Sequence, residues 1–404
     1  MTAASFPTVT VEIALTTAPL SNSPVWVTIS ENLLAFSTAI GRANSAVTFD
    51  AGTCSCTFDN HDGRLDPLKT TSPLYPNFHP GKRIRISATW ASNTYRLFDG
   101  FIDAIQPAYE GTGDEEVTVT ATDGFKLLNL ATWRPSGFPV PSELTGARVS
   151  RILGDIGWPS GYQSISGGNS LCVAIDDPTF TQSALSAIQD AEATEGGLLF
   201  MNPRDGVKFE DRYTRANLSA SPFLLDDTGA SAGNDYTSLT IITDESLVVN
   251  GATVQDGFGG TVSYVDATSQ TNNGPREVTI QTLLQNPNDA YDRAVFTVLS
   301  SSLPGTRVDQ VQLEPVYGGL SDYFTSVFAM QNDFGANLVE VVKTTPNGNY
   351  IDQTCFIERI GHDYDGDTWV VTWGLSPRIA GLTTAWFKWG SAKWGDPTNA
   401  VWAA

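Results

Sequence analysis

The sequence predicts a mainly β fold with α+β insertions, and three observations carry that expectation. Apolar and polar residues alternate in run after run, helical periodicity surfaces three times, and the helical stretches sit between blocks of strands. Single strands do not alternate with single helices along the chain, which excludes a doubly wound parallel sheet. At 404 residues and 41% hydrophobic, the chain is long enough for two to four compact units and apolar enough to give each a core.

The first run, Val9, Val11, Ile13 and Leu15 with Thr10, Glu12 and Ala14 between, gives a strand one apolar and one mainly polar face. Cys54, Cys56 and Phe58 alternate in the same way with Thr53, Ser55 and Thr57. Just upstream, Gly52 breaks the phase set by Val47 and Phe49, as a bulge or tight bend would. Ile84, Ile86, Ala88 and Trp90 continue the pattern, followed by Val117, Val119 and Ala121. With turns such as Asn60-His61-Asp62-Gly63 and Pro80-Gly81 between them, these strands predict a barrel or sandwich over roughly the first 130 residues.

Three helices are expected next. Thr145 can cap a segment whose Val149, Ile152, Leu153 and Ile156 share a face before Gly157 stops it. Thr181 precedes Ala184, Leu185, Ile188 and Ala191, with Gly196-Gly197 as the stop. The third runs from Asn288 through Tyr291, Ala294, Val295, Val298 and Leu299 to Pro304-Gly305. Strands are expected between them at Leu198 to Met201 and Val207 to Phe209. They return from about Tyr323, with Trp369, Val371 and Trp373 alternating after an Asp365-Gly366 hairpin signal.

Charge narrows the function. Lys and Arg total 23 against 44 Asp and Glu, a net charge of −21, so stable nucleic-acid binding is not expected, although a negative wall lets phosphates slide past. Met1 to Thr10 holds no signal-peptide-like block, and no membrane anchor is expected. Cys54, Cys56, Cys172 and Cys355 are too scattered for a disulfide scaffold or a four-thiolate zinc site.

Sites of chemistry are weak. Gly229-Ala230-Ser231-Ala232-Gly233 matches a nucleophile elbow, but Asn234-Asp235-Tyr236-Thr237 reads as continuing loop where a helix is needed. His61, His79 and His362 all read as turn residues. An EF-hand register over Asp363, Asp365 and Asp367 would put Gly361 at its first ligand position and Thr372 at its last, so these are read as hairpin aspartates. No enzymatic activity, metal or cofactor is expected. Lys82, Arg83 and Arg85 form the dense positive group; Arg83 and Arg85 share a strand face and read as a salt-bridged face or a subunit contact. Trp386, Trp389, Trp394 and Trp402 crowd the last segment, either packed back on the parent domain or forming a partner-docking arm.

Read together, several segments resemble the opening barrel of the tail hub family, the baseplate hub or tail-tip minor tail proteins of long-tailed bacteriophages and related contractile tails. They are Leu34-Ala35-Phe36-Ser37-Thr38-Ala39-Ile40-Gly41-Arg42, Phe49-Asp50-Ala51-Gly52-Thr53, Phe58-Asp59-Asn60, Leu74-Tyr75-Pro76-Asn77, Pro80-Gly81-Lys82-Arg83-Ile84-Arg85-Ile86, Leu97-Phe98-Asp99-Gly100-Phe101-Ile102-Asp103 and Val117-Thr118-Val119-Thr120-Ala121-Thr122-Asp123-Gly124. Ala187 to Phe200 and Phe356 to Ser376 resemble later parts of the same family.

The resemblance implies two tail-tube-like β-barrel domains, at 1–132 and at 218–260 with 319–380. Mixed α+β domains would fill 133–217 and 261–318, and 381–404 would be the Trp-rich arm. It further implies a homotrimeric, pseudo-sixfold ring in the virion, made in the bacterial host cytoplasm. Such a ring joins the tail tube or distal tail protein, with the tape measure protein, to tip fibre or spike proteins, and DNA passes through it. A hexameric distal tail adaptor and a secreted carbohydrate-active β-protein are the alternatives. The family carries no catalytic motif to transfer.

Overall fold

Each alternating run named above becomes a strand. The computed structural model of the chain describes residues 6–109, 115–218, 222–227, 235–245, 247–301, 305–314, 321–332, 334, 337–344 and 350–378. The chain opens with β1 (Thr8–Ala14), β2 (Val27–Thr28), β3 (Leu33–Gly41), β4 (Asp50–Asp59), β5 (Arg83–Trp90), β6 (Asn93–Ala108) and β7 (Glu116–Thr122). A mixed stretch follows: α1 (Gly124–Leu130), β8 (Thr132–Trp133), β9 (Glu143–Leu144), α2 (Thr145–Asp155), β10 (Gln163–Ile165), β11 (Leu171–Cys172), β12 (Gln182–Ser183), α3 (Ala184–Glu195), β13 (Leu198–Asn202), β14 (Gly206–Glu210) and α4 (Arg212–Ala216). A second series starts with β15 (Phe223–Asp226) and β16 (Ser238–Asp244). It is interrupted by β17 (Gly251–Gln255), β18 (Thr261–Val265), α5 (Ala267–Asn273), β19 (Glu277–Gln281) and α6 (Pro287–Leu299). It resumes with β20 (Gly305–Leu313), α7 (Ser321–Asn332), β21 (Leu338–Thr344), β22 (Tyr350–Tyr364) and β23 (Trp369–Pro377).

Thirteen of these strands form one sheet, and its order repeats. One set runs β3-β4-β7-β6-β5-β1, with β2 added beyond β1; the other runs β16-β20-β23-β22-β21-β15. Taken in chain order, β1 matches β15, β3 matches β16, β4 matches β20, and β5, β6, β7 match β21, β22, β23. The outermost pair differs in sense, since β1 is antiparallel to β5 and β15 is parallel to β21. Both sets turn on one long strand that pairs first with the strand before it and then with the strand after it, β6 in one and β22 in the other. Each long strand carries a one-residue bulge against its later partner, at Asp103 in β6 and Glu358 in β22.

The two sets are continuous because β22 also pairs with β3. A shared core runs through both, with Val11, Phe58, Ile86 and Val119 on one side and Val311, Ile357, Val371 and Trp373 on the other. Helices α2 and α3 join it through Val149, Ile152, Ala184 and Ile188. A second, small core holds α6 against the β17 sheet through Ala252, Val254, Ala290, Ala294 and Val298.

Several expectations are corrected. β17, placed within 218–260, pairs with β18 and β19, whereas β20, placed within 261–318, pairs with β16 and β23. The insertion therefore runs from β17 to α6. Period-two alternation marks a strand but carries no record of which sheet receives it. Thr145 does not cap α2; Leu144 occupies that place and the Thr145 hydroxyl donates to Glu195 Oε2 at 2.7 Å. Ser183, not Thr181, caps α3 by accepting from Ser186 N. Residues 321–332, expected as strand, form α7, whose Phe324, Val327 and Phe328 recur at helical spacing and are buried.

His362 is no turn residue. It lies within β22 and is buried, and Trp369 Nε1 donates to its Nδ1 at 3.3 Å. The proton therefore sits on Nε2, which donates to Gln331 Oε1 at 3.2 Å, and Gln331 Nε2 donates onward to Leu97 O, also at 3.2 Å. This relay joins β23, β22, α7 and β6. Burial pushes the His362 pKa down to about 3. In the unfolded chain it titrates near 6.5, so between these values the unfolded state holds the extra proton. This group leaves stability untouched above about pH 6.5 and lowers it as pH falls toward 3, on the order of 1 kcal/mol per pH unit. His362→Gln is expected to lose less stability than the wild type between pH 7 and 4, read from urea midpoints, even though it starts from a lower value.

Candidate assembly surface

The seam between β3 and β22 shows how one set of strands docks on the other. Alternation turns Phe36, Thr38 and Ile40 of β3 inward, opposite Tyr364, His362 and Ile360 of β22. The Phe36 ring lies 5.5 Å from Tyr364 and meets Trp369 edge-on at 5.4 Å. At the other end Gly41 sits at φ +119°, and a Cβ there would fall 2.1 Å from Glu358 O, so glycine lets the strands close.

Beyond Gly41 the seam is locked by charge. Arg42 N donates to Glu358 O at 2.8 Å, and its Nε lies 2.7 Å from Glu358 Oε2. Arg215, from α4, donates through Nη1 to Oε1 at 2.8 Å. The bulge makes this possible, because the extra residue breaks alternation and lets Ile357 and Glu358 be buried in succession. Burial alone would raise the Glu358 carboxyl, but the Arg215 and Arg42 charges outweigh it and hold the pKa below the usual glutamate value. The matching bulge residue, Asp103, is met by the Lys126 ammonium and by Thr122 Oγ1 at 2.6 Å.

The same comparison finds two unmatched edges. β16, the counterpart of β3, pairs with β20 and with no other strand among the described residues. β5 pairs with β6 only as far as Phe101, and Lys82 and Gly81 extend that contact to Ile102. Residues 104–109 therefore keep β7 on one side up to Ala108 and have no described strand on the other.

Arg83 and Arg85 are already engaged within the chain. Arg83 holds Asp99 through Nε at 2.7 Å and Nη2 at 3.0 Å, stacks 3.8 Å from the Tyr162 ring and is buried. Arg85 bonds Glu12 at 2.6 Å, lies 4.0 Å from Trp26 and lines a cavity of about 480 Å³ with Arg96 and Arg204. Sequence spacing identifies the shared face but not these partners. Trp386, Trp389, Trp394 and Trp402 lie outside the described residues, as does Gly229 to Gly233. Among the described residues no group of three or more His, Cys, Asp or Glu side chains is placed to share a metal ion. Asp365 instead caps its own turn, accepting from Asp367 N at 3.0 Å and Thr368 N at 2.7 Å.

No family model matches the sequence, and no curated protein matches it. Solved structures do match the fold. The tail protein from Neisseria meningitidis MC58 superposes with a TM-score of 0.58 at 12% identity, over 92% of this chain and 96% of that one. The 43 kDa tail protein of prophage MuSo2 from Shewanella oneidensis gives 0.54 at 12% identity, over 91% and 97%. The chain has the fold of these tail proteins. The match covers nearly the whole length of each, so the inserted mixed regions belong to the shared architecture as well as the large sheet.

Glu358→Ala is expected to cost about 3–5 kcal/mol, because it takes the carboxylate away from the buried Arg42 guanidinium and from the half-buried Arg215 beside it. Denaturant unfolding checks this; a loss under about 1 kcal/mol would mean the seam does not depend on the carboxylate.

Proposed function

We propose that the chain is a structural tail-tip hub: three copies form a ring of six near-equivalent half-units that joins the tail tube or distal tail ring, together with the tape measure protein, to tip fibre or spike proteins. The repeated order of six strands is the observation that carries this reading. A threefold body can sit squarely on a sixfold neighbour only if each chain offers two similar faces, and two sets of identical strand order supply them. The fold shared with two tail proteins supports a place in the virion and a structural, non-enzymatic role. A net charge of −21 suits a ring through which DNA must pass without being held. The Trp-rich segment 381–404 would be an arm that docks a neighbour in the tip, and Arg85 a residue at a subunit boundary.

The duplicated order favours a hub over a hexameric adaptor, in which one half-unit per chain would suffice. Mass measurement in solution is the test. Three copies of the 43.4 kDa chain give about 130 kDa, and images should show threefold symmetry with a sixfold-like outline. A hexamer, or a monomer at every concentration, would overturn the ring.

A further inference from the structure

We infer that β16 of one copy adds to the open side of β6 in a second copy, antiparallel, and that this contact repeats between chains the β3–β22 seam found within one chain. The inference rests on the ring reading and deepens it by naming the strands that close the ring.

The register follows from the two bulges. Asp103 matches Glu358, so residues 104–109 match 359–364. Thr57 and Gln312 occupy corresponding ladder positions on β4 and β20, where they pair with Ala35 and Ser238, so 36–41 match 239–244. The internal pairs Phe36–Tyr364, Thr38–His362 and Ile40–Ile360 then become Leu239–Tyr109, Ile241–Pro107 and Thr243–Ile105 between chains. Each proposed pair brings at least one apolar residue to the inward face, and Tyr109, just past the end of β6, takes the place of Tyr364.

Exposure supports the assignment. In the internal seam Phe36, Thr38, Ile40, Ile360 and His362 are buried. Their counterparts are less covered: Leu239, Ile105 and Pro107 are half-buried, Thr243 is exposed, and Ile241 is 36% exposed although its ladder partner Val308 is fully buried, while Tyr109, the counterpart of the half-buried Tyr364, is 57% exposed. A strand such as β16, carrying Leu239, Ile241 and Ile242 with one edge unpaired among the described residues, is a liability in a free chain unless a partner covers it. Pro107 lacks an N–H, so in the new ladder it can accept from Ile241 N through its carbonyl but cannot return the bond. The two seams differ in one respect. Where Arg42 and Glu358 lock the internal one, the matching residues are Glu245 and Asp103, each with its own cation, Arg276 and Lys126. The contact between chains therefore closes without a cross-seam ion pair and is the weaker of the two.

Cysteines placed at Ala108 and Thr240, an outward-facing pair in this register, test the contact. The four native thiols are all buried and stay out of the reaction. Under mild oxidation the Ala108→Cys/Thr240→Cys variant should run as covalent dimers and trimers on a non-reducing gel, while neither single variant should do so. The shifted pair Gln106→Cys/Thr240→Cys should stay uncrosslinked. A particle of trimer mass that crosslinks only through the shifted pair, or through neither, overturns the strand pairing and leaves the ring standing. A monomer at every concentration overturns both. Hydrogen exchange on the unmodified chain gives a second readout that needs no variant. The amides that face the new strand in this register, those of Ile105, Tyr109, Leu239, Ile241 and Thr243, should be protected in the trimer and lose that protection on dilution to monomer, while their neighbours bonded to β7 and β20 should not; equal exchange of these five in both states overturns the pairing.

Discussion

Most of this structure depends on the pairing of β3 with β22. Without it the two sets of strands would share no backbone pairing among the described residues. Six residues per strand are enough because a slip of one would turn Phe36, Thr38 and Ile40 to solvent and Ser37 and Ala39 into the core. The register is thus set by burial, and the ends of the seam are set by different means. An aromatic cluster closes one end. At the other a glycine allows close approach, and a carboxylate held by two guanidinium groups follows it.

The buried carboxylate is expensive by itself, because removing Glu358, Arg42 and Arg215 from water costs several kcal/mol per ion and the pairing offsets that only with good geometry. What the triad adds is position. Arg42 follows β3, Arg215 belongs to α4 and Glu358 belongs to β22, so one cluster ties the first set, the mixed region and the second set at a single point. A hydrophobic trio could fill the same space, but it would hold the three elements to a less defined geometry.

Much of this was legible in the sequence, and the remainder was not for identifiable reasons. Alternation at Val9 to Leu15, Cys54 to Phe58 and Trp369 to Trp373 located strands, and the phase break at Gly52 corresponds to a real register shift between β3 and β4. A strand's partner is not local information, so β17 and β20 were placed in the wrong halves. His362 was read as a turn residue because Asp363, Asp365 and Gly366 follow it at once. Its burial depends on Gln331 and Trp369, which only the tertiary fold brings near. The duplicated strand order is a repeat of topology with hardly any repeat of sequence, so the residues alone carry no sign of it. The unpaired edges of β16 and β6 were hidden for the same reason.

A contact of unlike edges between copies either closes into a ring or grows into a filament, and rotation per contact decides which. In the proposed ring that rotation would be set within the single chain, before any second copy arrives. The internal seam fixes the angle from one half-unit to the next, and if the contact between chains repeats its geometry, six steps of about 60° close a ring of three chains. Divergence between the two seams is constrained accordingly. Side chains along β16 and β6 can change, and the ion pair can be lost, as long as the strand register and bulge position that set the angle are kept. The bulges do stand in corresponding places, at Asp103 and Glu358, as that requirement on register demands. Closure also supplies what a single contact lacks. In the proposed ring of three, the third contact would be intramolecular once two had formed, so a seam without its own ion pair could hold because each copy would be gripped on both sides.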